Sequence, residues 1–104
     1  MRRTETIQKI KAILLSTSPD SDVILYGSQA RGDATLESDI DLLILVHGNT
    51  LSEKEKEKIT DPLFDLELED GVTISPIVYT KQQWENRPFV TPFYLNVMNE
   101  GIKL

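Results

Sequence analysis

The chain has no cysteine, one histidine and one tryptophan in 104 residues. Without cysteine there is neither a disulfide framework nor a thiolate metal site, and the cytoplasm is the expected compartment. No apolar run approaches the roughly 20 residues that span a bilayer, so no membrane partner is expected. Basic residues precede apolar ones in MRRTETIQKIKAILL, the order of a signal peptide. Glu5, Gln8, Lys9 and Lys11 interrupt any apolar centre there, and a leader is rejected. Positive charge is also in short supply. Eleven Lys and Arg stand against 17 Asp and Glu, a net −6, and such a surface repels phosphate backbones. That argues against non-specific nucleic-acid binding. It leaves a single nucleotide open, because a bound divalent cation reverses the local sign.

What is present fits one domain over residues 1–104, large enough for a single core. Ile7, Ile10, Ile13 and Leu14 recur at helical spacing between Thr4 and Leu15, giving an amphipathic helix with one buried stripe. Residues 16–22 (STSPDSD) read as a loop. Val23–Tyr26 is a short β-branched strand stopped at Gly27, and a short helix opens at Ser28. Ile40–Val46 is apolar throughout except for Asp41, as a strand covered on both faces would be. His47-Gly48-Asn49 closes it, and a lone histidine at a strand exit reads as neither ligand nor base.

Ser52-x-x-Glu55 has the pattern of a capping box, and Asp61-Pro62 that of a second helix start. Leu63, Phe64, Leu66 and Leu68 then supply an apolar side, and Glu69-Asp70-Gly71 a turn. Val72–Tyr79 is a third strand, with Pro76 favouring an edge position or a bulge. Thr80 caps a short helix carrying Trp84. Pro88 and Pro92 interrupt the chain, and Pro92 starts a last helix that Gly101 ends. The fold class is α/β (α+β), with a small, mixed, partly antiparallel sheet of three to four strands flanked by helices.

Chemistry concentrates in residues 23–46, VILYGSQARGDATLESDIDLLILV. Asp39 and Asp41 are two apart, so in a strand they share a face, about 6.6–7 Å apart. Two carboxylates at that distance repel by roughly 2 kcal/mol at an effective dielectric near 20. The pair alone reads either as solvated acids at a strand entrance or as hard oxygen ligands for Mg²⁺ or Mn²⁺. Gly27 lets backbone approach a bulky ligand, and Ser28 offers a hydroxyl where a helix start attracts phosphate. Only ten residues separate Ser28 from Asp39, short for a full parallel crossover, and an antiparallel pair is the easier geometry. An antiparallel pair therefore brings the Gly-Ser turn and both carboxylates to one sheet edge. Arg31, one helical turn on, is placed to balance phosphate charge or to pair with an acid.

Gly27-Ser28, the ten-residue gap and Asp39-Ile40-Asp41 resemble the signature of the DNA polymerase beta-like nucleotidyltransferase superfamily. The fuller string GSQARGDATLESDIDLLIL is similar to its small prokaryotic branch, the minimal nucleotidyltransferases. The resemblance implies the nucleotidyltransferase fold, with Gly27 and Ser28 as the triphosphate-binding turn and Asp39 and Asp41 as metal-binding, catalytic carboxylates. It implies transfer of a nucleoside monophosphate, AMP if the NTP is ATP, to a hydroxyl acceptor with Mg²⁺ or Mn²⁺. It also implies a HEPN-domain partner, to which members of this branch act as antitoxin; a homo-oligomer is left open.

The family places a third carboxylate on the next strand. Here that stretch is VTISPI, with Ser75 as the occupant, a poor cation ligand and a poor base. Asp65, Glu67, Glu69 and Asp70 are alternatives from the preceding segment, each more economically solvated. A second reading follows: a catalytically weak or inactive module that keeps the fold to bind a nucleotide or a partner. Its docking surface would be PFVTPFYLNVMNEGIKL, although a domain this small is expected to use those aromatics inside.

Overall fold

Among the described residues nine elements follow one another: α1 (Arg3–Thr17), β1 (Asp22–Tyr26), α2 (Ser28–Arg31), β2 (Ile40–Val46), α3 (Glu53–Asp70), β3 (Ile74–Thr80), α4 (Lys81–Glu85), α5 (Pro92–Glu100) and β4 (Ile102–Lys103). The computed structural model describes residues 3–35, 37–48, 50–87 and 89–104. The expected features at Met1, Arg2, Asn49 and Pro88 lie outside them.

The strands form one mixed sheet in the order β3-β2-β1-β4. β1 runs antiparallel to β2, with Tyr26 opposite Asp41, so the end of the first strand does lie beside the start of the second. β2 and β3 are parallel, joined by α3. β4 adds a short antiparallel edge, Ile102 opposite Leu25.

β2 is sheathed on both faces, which its sequence requires. Ile40, Leu42 and Ile44 join Ile10 and Leu14 of α1 and Ile59, Leu63 and Leu66 of α3 on one side. Leu43 and Leu45 meet Trp84 of α4 and Val97 of α5 on the other. By the two-residue period, Asp41 belongs to this second face. No helix among the described residues is long and apolar enough to cross a membrane.

Three local expectations need correction. Asp61-Pro62 does not start a new helix, because α3 continues through Pro62. An interior proline costs about 3 kcal/mol. Ile59, Leu63 and Leu66 lie on one continuous stripe and are all buried, contributing about 1.5–3 kcal/mol each, so packing wins. Phe64 and Leu68 lie off that stripe and are exposed, Leu68 by 86%. At Ser52, the hydroxyl accepts from Glu55 N at 3.1 Å as expected, but the Glu55 carboxylate accepts from the serine's own hydroxyl at 3.0 Å rather than from its backbone amide. Both arms of a capping box close instead at Thr80, whose Oγ1 accepts from Gln83 N and whose amide donates to Gln83 Oε1, each at 3.0 Å.

β3 is an edge strand in unbroken register with β2, so Pro76 sits at an edge without a bulge. The C-terminal aromatics divide. Phe93 and Tyr94 pack against the second cluster, while Phe89, Leu95 and Met98 are exposed.

Candidate active site

The polypeptide leaves β1 through Gly27 at φ 74°, ψ −154°, a conformation open essentially to glycine alone. A second constraint acts there. A Cβ on Gly27 would overlap Oδ2 of Asp41 and lie 3.3 Å from its Cγ. The turn and the carboxylate thus pack directly on one another. α2 follows for a single turn, closed by Gly32 in the left-handed conformation. As first-turn residues of a helix, Ser28 and Gln29 have amides with no intrahelical acceptor. The Ser28 hydroxyl makes no hydrogen bond among the described residues. Gln29 Nε2 is buried and also lacks a partner among them, a signal that no sequence pattern announces.

Asp39 is exposed and stands one residue before β2, while Asp41 is half-buried within it. The backbone between them is anchored by Ile40 N, which donates to Thr73 O at 2.9 Å. Burial pushes the Asp41 carboxyl above its ordinary value, and the Asp39 charge pushes further; Arg31 opposes this and Glu100 adds to it. Across the strand pair, burial raises the Tyr26 hydroxyl to about 12, with help from Asp41 and Tyr79, so it keeps its proton.

Ser75 stands opposite Asp41 in the β2–β3 register, and its Oγ lies 3.5 Å from Asp39 Oδ2. A neutral hydroxyl therefore occupies the strand position beside the acid pair. No three Asp, Glu or His side chains among the described residues converge in metal-binding geometry. The acids preceding β3 are engaged elsewhere or point to water. Glu67 accepts from Ile74 N at 2.6 Å, and Asp70, with a side chain 2% exposed, is held by Lys9 at 3.0 Å and Thr6 at 2.9 Å. Those two are structural rather than solvated, a correction to the sequence reading; Asp65 and Glu69 are exposed as expected. His47 lies six residues along β2 from Asp41, about 20 Å away, beside Lys81 Nζ at 3.1 Å.

Two carboxylates, one of them desolvated and repelled by the other, suit a divalent cation whose remaining ligands come from phosphate or water. Arg31 pairs with acids: its Nε is 3.2 Å from Asp33 Oδ2, and its Nη1 is 3.1 and 3.2 Å from the two oxygens of Glu100. Glu100 also accepts from Gly27 N at 3.1 Å. The sequence reading missed this residue, because only the return of α5 to the end of β1 brings it to the turn.

The chain is similar to known proteins over most of its length. The Methanocaldococcus jannaschii protein named "Putative protein adenylyltransferase MJ0141" is 42% identical over 82 residues, 79% of this chain and 76% of that protein. The fold is also that of a solved "putative minimal nucleotidyltransferase", with a TM-score of 0.64 at 22% identity over 100% of this chain and 97% of the other. A toxin–antitoxin structure with AMP-PNP matches at TM-score 0.63 and 18% identity, covering 98% of this chain and 72% of that one. The family model described as "Nucleotidyltransferase domain" matches residues 7–103, which take in the Gly-Ser turn, both aspartates and Ser75, and the chain belongs to that family.

Proposed function

We propose that this protein transfers AMP from ATP to a hydroxyl on a protein partner, a HEPN-type toxin for which it serves as antitoxin. The observation that carries the reading is the packing of Gly27 on the Asp41 carboxylate, which puts the Gly-Ser turn directly against one of the two acids. The adenylyltransferase name of the archaeal relative and the toxin–antitoxin structure with AMP-PNP support the choice of nucleotide and partner.

In this reading Ser28 and the turn amides hold the distal phosphates, with Arg31 near enough to join them. Asp39 and Asp41 would hold Mg²⁺ or Mn²⁺, which would supply screening of the phosphate charge for in-line displacement. The acceptor oxygen bonds to the α-phosphorus, the bond from that phosphorus to the α–β bridging oxygen breaks, and pyrophosphate leaves. Ser75 supplies no carboxylate to take the acceptor's proton, which passes to solvent.

Incubation with labelled ATP and Mg²⁺ or Mn²⁺ should label the partner or the protein itself, and Asp41→Asn should abolish the label. Failure to bind ATP with either metal by calorimetry overturns the reading. A second reading rests on Ser75: metal-dependent ATP binding without any transfer would make this a nucleotide-binding module.

A further inference from the structure

We propose that Glu100 is a built-in competitor for the phosphate site, occupying with its own carboxylate the donors that a nucleotide needs. The proposal rests on the reading of Gly27–Ser28 as a phosphate-binding turn. Glu100 accepts from the Gly27 amide at 3.1 Å and receives Arg31 Nη1 on both oxygens, at 3.1 and 3.2 Å. A backbone amide and a guanidinium are the donors that bind phosphate elsewhere, and charge-assisted bonds to them are strong.

The position of Glu100 is not explained by its own helix. It is the last residue of α5, where a negative charge opposes the helix dipole. It is placed there by the backbone that follows. Gly101 packs so closely on Val97 O and Ile24 Cγ2 that a Cβ would overlap both, and Leu104 N then donates to Val23 O at 2.8 Å. This brings the end of α5 against β1, one strand from Asp41. The Glu100 side chain is 21% exposed, so it has a route to solvent when phosphate displaces it. Its negative charge also reaches Asp41, adding to the repulsion that an incoming triphosphate meets.

Displacement predicts an affinity change of opposite sign to the loss of a positioning contact. Glu100→Ala should bind ATP with Mg²⁺ about ten-fold or more tightly than the unaltered protein, from a lost charged competitor. Glu100→Gln, nearly isosteric, should fall between the two and serves if the alanine variant does not fold. Asp33→Asn frees Arg31 from its exposed partner but leaves the Gly27 amide engaged, and should change affinity by less than about three-fold. In the nucleotide-free protein, Glu100→Gln should shift the Gly27 amide resonance. Equal or weaker ATP binding by folded Glu100→Ala and Glu100→Gln, with the unaltered protein binding normally, overturns the competitor alone. If neither ATP with Mg²⁺ nor tripolyphosphate binds any of these proteins, the phosphate reading of the turn fails and takes this inference with it.

Discussion

Gly27 and Asp41 are in contact such that no side chain fits between them, and Gly27 has a positive φ as well. Gly27→Ala should therefore meet two penalties at once. Backbone strain costs about 1–3 kcal/mol, and the methyl group must displace the Asp41 carboxylate. Urea denaturation should show a loss in that range, and calorimetry should show ATP binding weakened at least ten-fold. Unchanged ATP affinity in a folded Gly27→Ala protein would separate the turn from the site.

Asp41 is half-buried, with its carboxyl raised by burial and by Asp39. A raised acid stabilises the fold only where it is protonated, and that contribution is lost as pH rises through its folded value. At neutral pH without metal, the ionised side chain is thus a liability. Asp41→Asn should melt higher than the unaltered protein at pH 7 in chelator. The order should reverse with saturating Mg²⁺ and ATP, which in the proposed function only the unaltered protein would bind. Identical melting in chelator would show that the carboxylate is already solvated.

Ser75 stands opposite Asp41 with its hydroxyl 3.5 Å from Asp39, at the position where the resemblance implies a third carboxylate. Ser75→Asp should raise AMP transfer by ten-fold or more, by supplying a base and a ligand together. It should also lower stability in chelator, since three acids would then crowd one edge. Single-turnover label transfer and thermal melting test the two halves. No gain in rate would mean that transfer here does not wait on that proton.

The Lys9–Asp70 pair ties α1 to the end of α3. The Lys9 hydrogen bond, aided by Thr6, holds the Asp70 carboxyl below its ordinary value against its burial. The sign is opposite to that at Asp41: its stabilisation is present above the unfolded value of about 3.9 and lost as pH falls through the lower folded value. Asp70→Asn should therefore be less stable than the unaltered protein at pH 7, and the gap should begin to narrow as pH falls below about 4. A gap that does not narrow as pH falls would assign the effect to packing.

Much of this was legible in the sequence for physical reasons that can be named. The apolar run 40–46 has only one solution in so short a chain, a strand with layers on both sides. The ten-residue gap between Ser28 and Asp39 is short for a full crossover and so favoured the antiparallel pair. Other features depended on distance along the chain. Glu100 reaches Gly27 across 73 residues, and Glu67 and Asp70 find partners that no local pattern specifies. Pro62 misled because local propensity argues for a helix start, whereas the buried stripe of Ile59, Leu63 and Leu66 is settled by tertiary packing.

β2 also sets the order in which the site comes apart. Its amides lie between two hydrogen-bonded neighbours and under both apolar clusters, so they should exchange with solvent only on global unfolding. Asp41 is inside that strand and Asp39 is one residue outside it. The acid pair straddles the boundary between the slowest-exchanging part of the protein and an exposed approach segment. Bound metal, by joining the two, would extend the protected strand outward by its first residues.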